Sequence, residues 1–344
     1  MGSSGISSAD AGRLRALAAE AGPQLATDPL PWQEKLAEQH DRLADAVRWF
    51  VDAGDPAAAV AMVADLHPYF RAVRHDTVAR ELTLAAVELP GAADVPRYAE
   101  ARAGLARLVF SSGRPAGQAY ADALAAASSA GDAALEVECL TGLARVAARE
   151  ERWDEVREHG LAGLRAAEHT PPGPHRRGPV HVLAAAARMT GDYAEARARY
   201  AESIAIAESL GLVAAVPSEQ HNLGYVELHS GDLDAAERLF RQAVDGARRT
   251  GAEWLLPLAV LDFGVLAVAK GRLERGMVLV VAAKAAVDRT RTAFDPDDDV
   301  EYRAAVRALA ERVDGGQLAN WTRRGRGLSL ADAVTLATGS GQAA

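Results

Sequence analysis

The 344-residue sequence has one cysteine, four methionines and only 5% aromatic residues. A single cysteine excludes an internal disulfide, so no covalent staple holds the fold. Cys139 stands in an apolar run with Leu135, Val137 and Leu140, which predicts a buried small hydrophobe rather than a reactive thiol. Basic excess is missing too. The 38 Lys and Arg residues face 47 Asp and Glu, giving a formal net charge of −9 and a pI of about 5.5. Nucleic-acid binding is driven by counterion release from phosphates, so this balance argues against direct nucleic-acid contact. The most apolar run, Met277 to Ala283, falls far short of the ~20 residues that span a bilayer, so no membrane partner is expected. Residues 1–8 lack the basic and apolar regions of a signal peptide and look like a tag, which makes a cytoplasmic location the default.

Motifs that carry chemistry are absent as well. The nine histidines form neither a His-Glu-x-x-His pattern nor a Cys/His cluster at zinc spacing. There is no Gly-x-Ser-x-Gly elbow and no phosphate-binding glycine loop. The acidic run Asp295 to Asp299 lacks the glycine and the distal glutamate of a calcium loop; a solvated, helix-capping loop is expected, with a weak cation site as the alternative. Glu136 and Glu138 lie two apart and do not face each other on a helix. No cofactor, no metal and no enzymatic activity are expected.

Alanine is abundant all along the chain, and it favours closely packed helices. Short turn signals recur between apolar helical stretches, at Ser112-Gly113-Arg114, Glu151-Arg152-Trp153, Thr190-Gly191-Asp192-Tyr193, Ser230-Gly231-Asp232-Leu233 and Lys270-Gly271-Arg272-Leu273. They follow one another every 38–40 residues, and a weaker turn at Arg74-His75 precedes the first by 39. In the clearest unit Leu223, Gly224 and Tyr225 lie on a first helix. Gly231 suits the left-handed end of that helix, and Asp232 can cap the next. Ala236, Phe240 and Ala243 then share one face of the second helix. This pattern resembles the tetratricopeptide repeat, whose first helix carries Leu-Gly and whose second carries Ala, an aromatic and Ala. Leu183, Gly191, Asp192, Tyr193, Ala196 and Tyr200 match it next best.

Two units depart from the pattern: one has Val156, Gly160 and Gly163 on its second helix, and one has Gly276 and Val280, which predicts looser packing. The fold expected is all-α, a right-handed superhelical solenoid of antiparallel helix pairs with a period of about 39–40 residues. It divides into a tag-like segment 1–9, a helical lead-in and first repeat 10–92, the array 93–298, closing helices 299–338 and a tail 339–344. Pro171, Pro172 and Pro174 interrupt the array, making 170–175 either a hinge or a plain surface loop.

The flanks carry a second resemblance. Trp32, Leu36, Gln39-His40-Asp41-Arg42-Leu43, Trp49, Gly54-Asp55 and Leu89-Pro90-Gly91 are similar to the segment opening the repeat region of LuxR-type and AfsR-like ATPase regulators of the STAND class. Leu309, Gly315-Gly316, Trp321 and the stretch Gly327 to Val334 resemble its close, with Ser329 as an N-cap. The resemblance implies the sensing and protein-binding arm of a transcriptional regulator, without its nucleotide switch or DNA-binding helix. A free-standing adaptor is the alternative, and an enzyme on a helical-repeat scaffold the third and least expected reading.

In stacked pairs the first helices line the concave wall. Registering each unit on its turn places Arg107, Arg145, Arg149, His181, Arg188, His221, Tyr225 and His229 on that wall. Arginine's planar fork suits carboxylates, so the wall is expected to bind a peptide or partner protein, or a small anionic metabolite. Pairing of these arginines with Glu100, Glu138, Glu150 or Glu151 is the competing expectation. Trp254 and Trp321 are expected in the core, and a homodimer through the terminal helices is possible.

Overall fold

A computed structural model describes residues 6–27, 29–73, 76–171, 173–290 and 294–339. The expected turn at Arg74-His75 and Pro172 lie outside the described residues, as do residues 1–5 and 340–344 of the two expected ends. Eighteen α-helices and four short 3₁₀ turns make up the described chain, packed in consecutive pairs as a repeat solenoid. Helices α2 (Pro29–Ala37), α3 (His40–Asp52) and α4 (Pro56–Val73) pack around α1 (Ser8–Thr27), and α5 (Asp76–Val87) packs on α4. Ser7 Oγ accepts the Asp10 amide at 3.1 Å at the start of α1. The repeats proper pair α6 (Tyr98–Ser111) with α7 (Gly117–Ala130), and α8 (Ala133–Arg149) and α9 (Trp153–Ala167) follow in sequence. They continue with α10 (Arg177–Met189) and α11 (Tyr193–Ser209), α12 (Val216–His229) and α13 (Leu233–Thr250), and α14 (Leu256–Ala269) and α15 (Leu273–Arg289). The chain closes with α16 (Pro296–Arg312), α17 (Gly315–Gly327) and α18 (Leu330–Thr338).

Each turn forms for the reason its sequence suggests. Gly113, Gly191, Gly231 and Gly271 take φ of 72°, 83°, 89° and 75°, where a Cβ would be strained, and Glu151 alone meets this demand without glycine, at φ 55°. Asp192 accepts the Glu195 amide at 3.0 Å and Asp232 the Ala235 amide at 2.8 Å. Ser329 caps α18 by accepting the Asp332 amide at 3.1 Å.

Small residues set how closely the helices approach. A Cβ on Gly224 would stand 2.3 Å from Phe240 Cε1, so that ring lies directly on the α12 backbone. Gly142 of α8 receives Tyr120 in the same way. In α9 the roles reverse. Gly160 leaves room for Leu183 of the following helix, which is why glycine stands where the repeat pattern asks for an aromatic. The expected looseness of the α14–α15 pair is not found: Gly264 and Gly276 bring those helices to backbone contact, and Met277, Val278, Leu279 and Val280 are all buried. Phe240 lies edge-on to Tyr225 and Phe263, with centroids 5.3 and 6.2 Å apart. Burial of each such ring stabilises the array by about 1.5–3 kcal/mol.

Contacts divide the chain into two compact units: Met1–Val146 with Arg165–Thr170, and Ala147–Leu164 with Pro171–Ala344. The division crosses α8 and α9 and meets the proline-rich linker at Pro171. In the first unit Cys139 is fully buried, and burial pushes its thiol up to about 12. No described helix is long and apolar enough to cross a membrane.

Candidate functional site

The second unit holds the densest cluster of charged groups, and most of it is buried. It is built on α10, α12 and α14, with the first turns of α16 against them. Arg188, near the end of α10, is 3% exposed. It donates from Nη2 to Asp297 Oδ2 at 2.7 Å, places Nη1 3.6 Å from Glu301 Oε1, and sets its guanidinium 5.2 Å from the Tyr225 ring centroid. His221 of α12 stands between two carboxylates, with Nδ1 2.8 Å from Asp262 Oδ2 and Nε2 3.0 Å from Asp298 Oδ1. His229, one helix turn beyond Tyr225, reaches Glu301 Oε1 at 2.8 Å from Nε2. Its ring lies near-parallel to Tyr193 and Tyr225.

A second group extends this cluster. Glu219, fully buried on α12, accepts from His181 Nδ1 at 2.9 Å, Arg177 Nη1 at 2.9 Å and Ser203 Oγ at 2.8 Å. The protonation states follow from these contacts. Burial opposes a charge on His221, but Asp262 and Asp298 overcome it and hold its pKa well above the usual histidine range. Each ring nitrogen faces a carboxylate, so both donate. Burial likewise opposes charge on His181, and Glu219 raises its pKa in spite of that. Among the acids, burial pushes Asp298 up to about 6 even with His221 beside it. Asp297 is held below its ordinary value: burial works against it, and Arg188, His221 and His181 prevail.

Some of the cluster's polar atoms have no hydrogen-bond partner: Arg188 Nε and Nη1, Tyr200 Oη, Tyr225 Oη and Asp262 Oδ1. Burial raises the Asp262 pKa, with His221 and then the Tyr225 hydroxyl acting against that rise. A buried guanidinium using one of three nitrogens is under-satisfied, since each unpaired buried donor is costly.

The residues expected on one wall therefore fall into groups. The structure brings Arg188, His221, Tyr225 and His229 together and sets His181 beside them, all in the second unit. Arg107 and Arg145 belong to the first. Arg107 pairs with Glu138 and lies 3.3 Å from His67 Nε2. Arg145 is exposed, its guanidinium 5.1 Å from the Phe110 ring. Arg149 is exposed near the end of α8. Trp254 departs from its expected core position and is 63% exposed in the turn before α14, while Trp321 is half-buried.

Local reading of the sequence missed Glu219, Asp262, Asp297, Asp298 and Glu301. The acidic run expected as a solvated loop is instead the first turn of a helix, with Asp298 4% exposed. Among the described residues no group of three or more His, Cys, Asp or Glu is arranged to hold a metal ion.

A cleft of about 340 Å³ lies elsewhere in this unit, lined by Arg272, Glu274, Arg275, Val278, Arg324 and Leu336. Its cations have local work: Arg324 pairs with Glu274, and Arg275 donates to the Leu336 and Ala337 carbonyls at the end of α18.

The tetratricopeptide-repeat family matches residues 220–250, the α12–α13 pair that carries His221, Tyr225 and His229. The described chain has the fold of a tetratricopeptide-like repeat solenoid. Solved structures extend the likeness along nearly the whole chain. A Rap protein complexed with competence and sporulation factor superposes with a TM-score of 0.56 at 13% identity, covering 94% of this chain and 98% of that one. Aspartyl phosphate phosphatase F from Bacillus subtilis gives 0.51 at 10% identity, covering 94% and 96%. The Rap conjugation gene regulator of plasmid pLS20, in complex with the Phr* peptide, gives 0.50 at 9% identity, covering 93% and 98%. At these identities the likeness is one of fold. No curated protein matches the sequence significantly.

Proposed function

We propose that this tetratricopeptide-repeat protein is a non-catalytic interaction module that binds an acidic peptide or protein segment on the Arg188–His221–His229 face of α10 and α12. One observation carries the reading: each of these three side chains already engages a carboxylate more than seventy residues away in sequence. A face that gathers carboxylates from a distant helix has the chemistry to take them from another chain. The Rap regulator solved with the Phr* peptide supports the peptide-binding part by likeness of fold. The order of the motifs in residues 32–90 and 302–338 supports placing the module in the sensing arm of an ATPase-type transcriptional regulator.

Fluorescence anisotropy tests the binding. A labelled helical peptide rich in Asp and Glu should bind, and more weakly as salt rises. Its Asn/Gln counterpart should not, and His229→Ala should weaken the acidic peptide several-fold. Equal binding of the two peptides, or of neither, would refute the reading.

A further inference from the structure

The acidic segment has a counterpart inside the chain. α16 presents Asp297, Asp298 and Glu301, carboxylates at i, i+1 and i+4, to Arg188, His221 and His229. We infer that this face recognises a partner-protein helix carrying carboxylates at that spacing in its first turns, and that α16 is the internal occupant such a helix displaces. This inference rests on the acidic-segment reading above and names both the partner's chemistry and the competition it meets.

The build of α16 supports displacement. Asp298, Glu301, Ala305 and Leu309 are all buried and form a single stripe, charged in its first half and apolar in its second. The apolar half is anchored separately: Leu309 is fully buried against Val268 and Met277, with Trp321 and Leu318 beside it. The charged half can leave its seat while that anchor holds.

The seat is also imperfectly filled. Arg188 is 1% exposed at its side chain, yet α16 satisfies only Nη2 and leaves Nε and Nη1 without hydrogen bonds. An incoming carboxylate that engaged the guanidinium edge in bidentate fashion would pair donors that α16 does not. Attraction within a buried ion pair is largely offset by the desolvation of its members, so exchanging one set of carboxylates for another involves a small net difference. Acidic residues in the first turn also favour helix formation in the arriving segment, as they do in α16.

The probe is a labelled 17-residue peptide with the sequence Pro296–Arg312, titrated against the full chain and against the full chain carrying D297N, D298N and E301Q. Neutralising the internal occupant raises the fraction of open face, and apparent affinity follows that fraction. The peptide should bind the substituted chain about tenfold more tightly or better, and neutralising the peptide's own three carboxylates should abolish binding. Equal affinity for the two chains would overturn the internal-occupant inference and leave the acidic-segment reading standing. Binding to neither would overturn that reading and the inference with it. A second measurement avoids the substituted chain. On the unsubstituted protein at saturating peptide, amides of residues 297–305 should exchange faster while those of α14 and α15 stay protected. Unchanged exchange in α16 at saturation would overturn displacement.

Discussion

Replacing Arg188 with methionine should destabilise the second unit by about 2–3 kcal/mol, and neutralising Asp297 and Glu301 in the same chain should restore most of the loss. Arg188 is the buried permanent cation against which Asp297 and Glu301 are set, at 2.7 and 3.6 Å. Removing one member of a buried pair costs about 3–5 kcal/mol, because the remaining charge stays desolvated and uncompensated. The structure moves the expected value below that range. Arg188 Nε and Nη1 have no hydrogen-bond partner, so methionine also removes two groups that are each costly by about 1 kcal/mol or more. Methionine keeps an unbranched stem and a favourable contact with the Tyr225 ring, so little packing is lost.

Amide exchange in α10, α12 and α16 is the right assay, since a repeat array can open locally without unfolding as a whole. Urea unfolding gives the global value. The difference between wild type and variant should narrow on acidification. Asp297 has a depressed pKa, so its contribution is present above the unfolded value near 3.8 and disappears as pH falls through the folded one. Stability of Arg188→Met within about 0.5 kcal/mol of wild type, the usual range for a surface change, would refute the reasoning. So would a triple variant no more stable than the single one.

Gly224→Ala should destabilise by about 1–2 kcal/mol in urea unfolding: overpacking against a ring wedged between Tyr225 and Phe263 outweighs alanine's better helix propensity. Adding Phe240→Leu should recover part of that loss by clearing the space. Proton NMR should find the His221 ring protonated well above pH 6.5. Because its folded pKa is raised, the stability it contributes is complete below about pH 6.5 and declines as pH rises through the folded value; stability increasing over that interval would contradict the assignment. Cys139 should react with thiol reagents only after unfolding, given its burial and a pKa near 12. Trp254→Phe should remove more acrylamide-quenchable fluorescence than replacement of Trp32, Trp49, Trp153 or Trp321, each of which is partly buried.

The repeat was legible because its determinants are local. A glycine that must take positive φ, an aspartate that caps the next helix and a small residue opposite a large one are all set by neighbours within about forty residues. That is why the turns at Gly113, Glu151, Gly191, Gly231 and Gly271 stand where the spacing puts them. Half of the candidate site was legible for the same reason, since Arg188, His221, Tyr225 and His229 share a helix register. The other half was not. Arg188 and Asp297 are 109 residues apart, and no periodicity connects a side chain on one repeat to a helix that follows the array. A run of aspartates after a proline reads as surface unless something cationic and buried waits for it. Trp254 failed for a simpler reason: in its three-residue 3₁₀ turn Leu255 takes the buried position, and Trp254 is left outside.

One signal for the missing half was present in the sequence. Asp262 is the lone charged residue of α14, flanked by Leu261 and Phe263 in a helix apolar on every side. Such a helix has no solvent face to receive a carboxylate, so the charge must be paired inside. Asp262 occupies the position that Asn222 holds one repeat earlier, which puts it within one residue of the His221 register. A buried acid beside a registered histidine calls for a protonated ring. A protonated ring has a second nitrogen that must also find an acceptor. In α12 Glu219 is taken by Arg177, His181 and Ser203 and Glu227 by Arg197, and α14 has no acid beyond Asp262, so the acceptor has to arrive from another helix. In this chain it arrives as Asp298, and the same unfilled requirement would draw in a carboxylate from a partner. Charged residues that break the apolar pattern of a repeat therefore locate the face proposed for binding more directly than the arginines exposed along it.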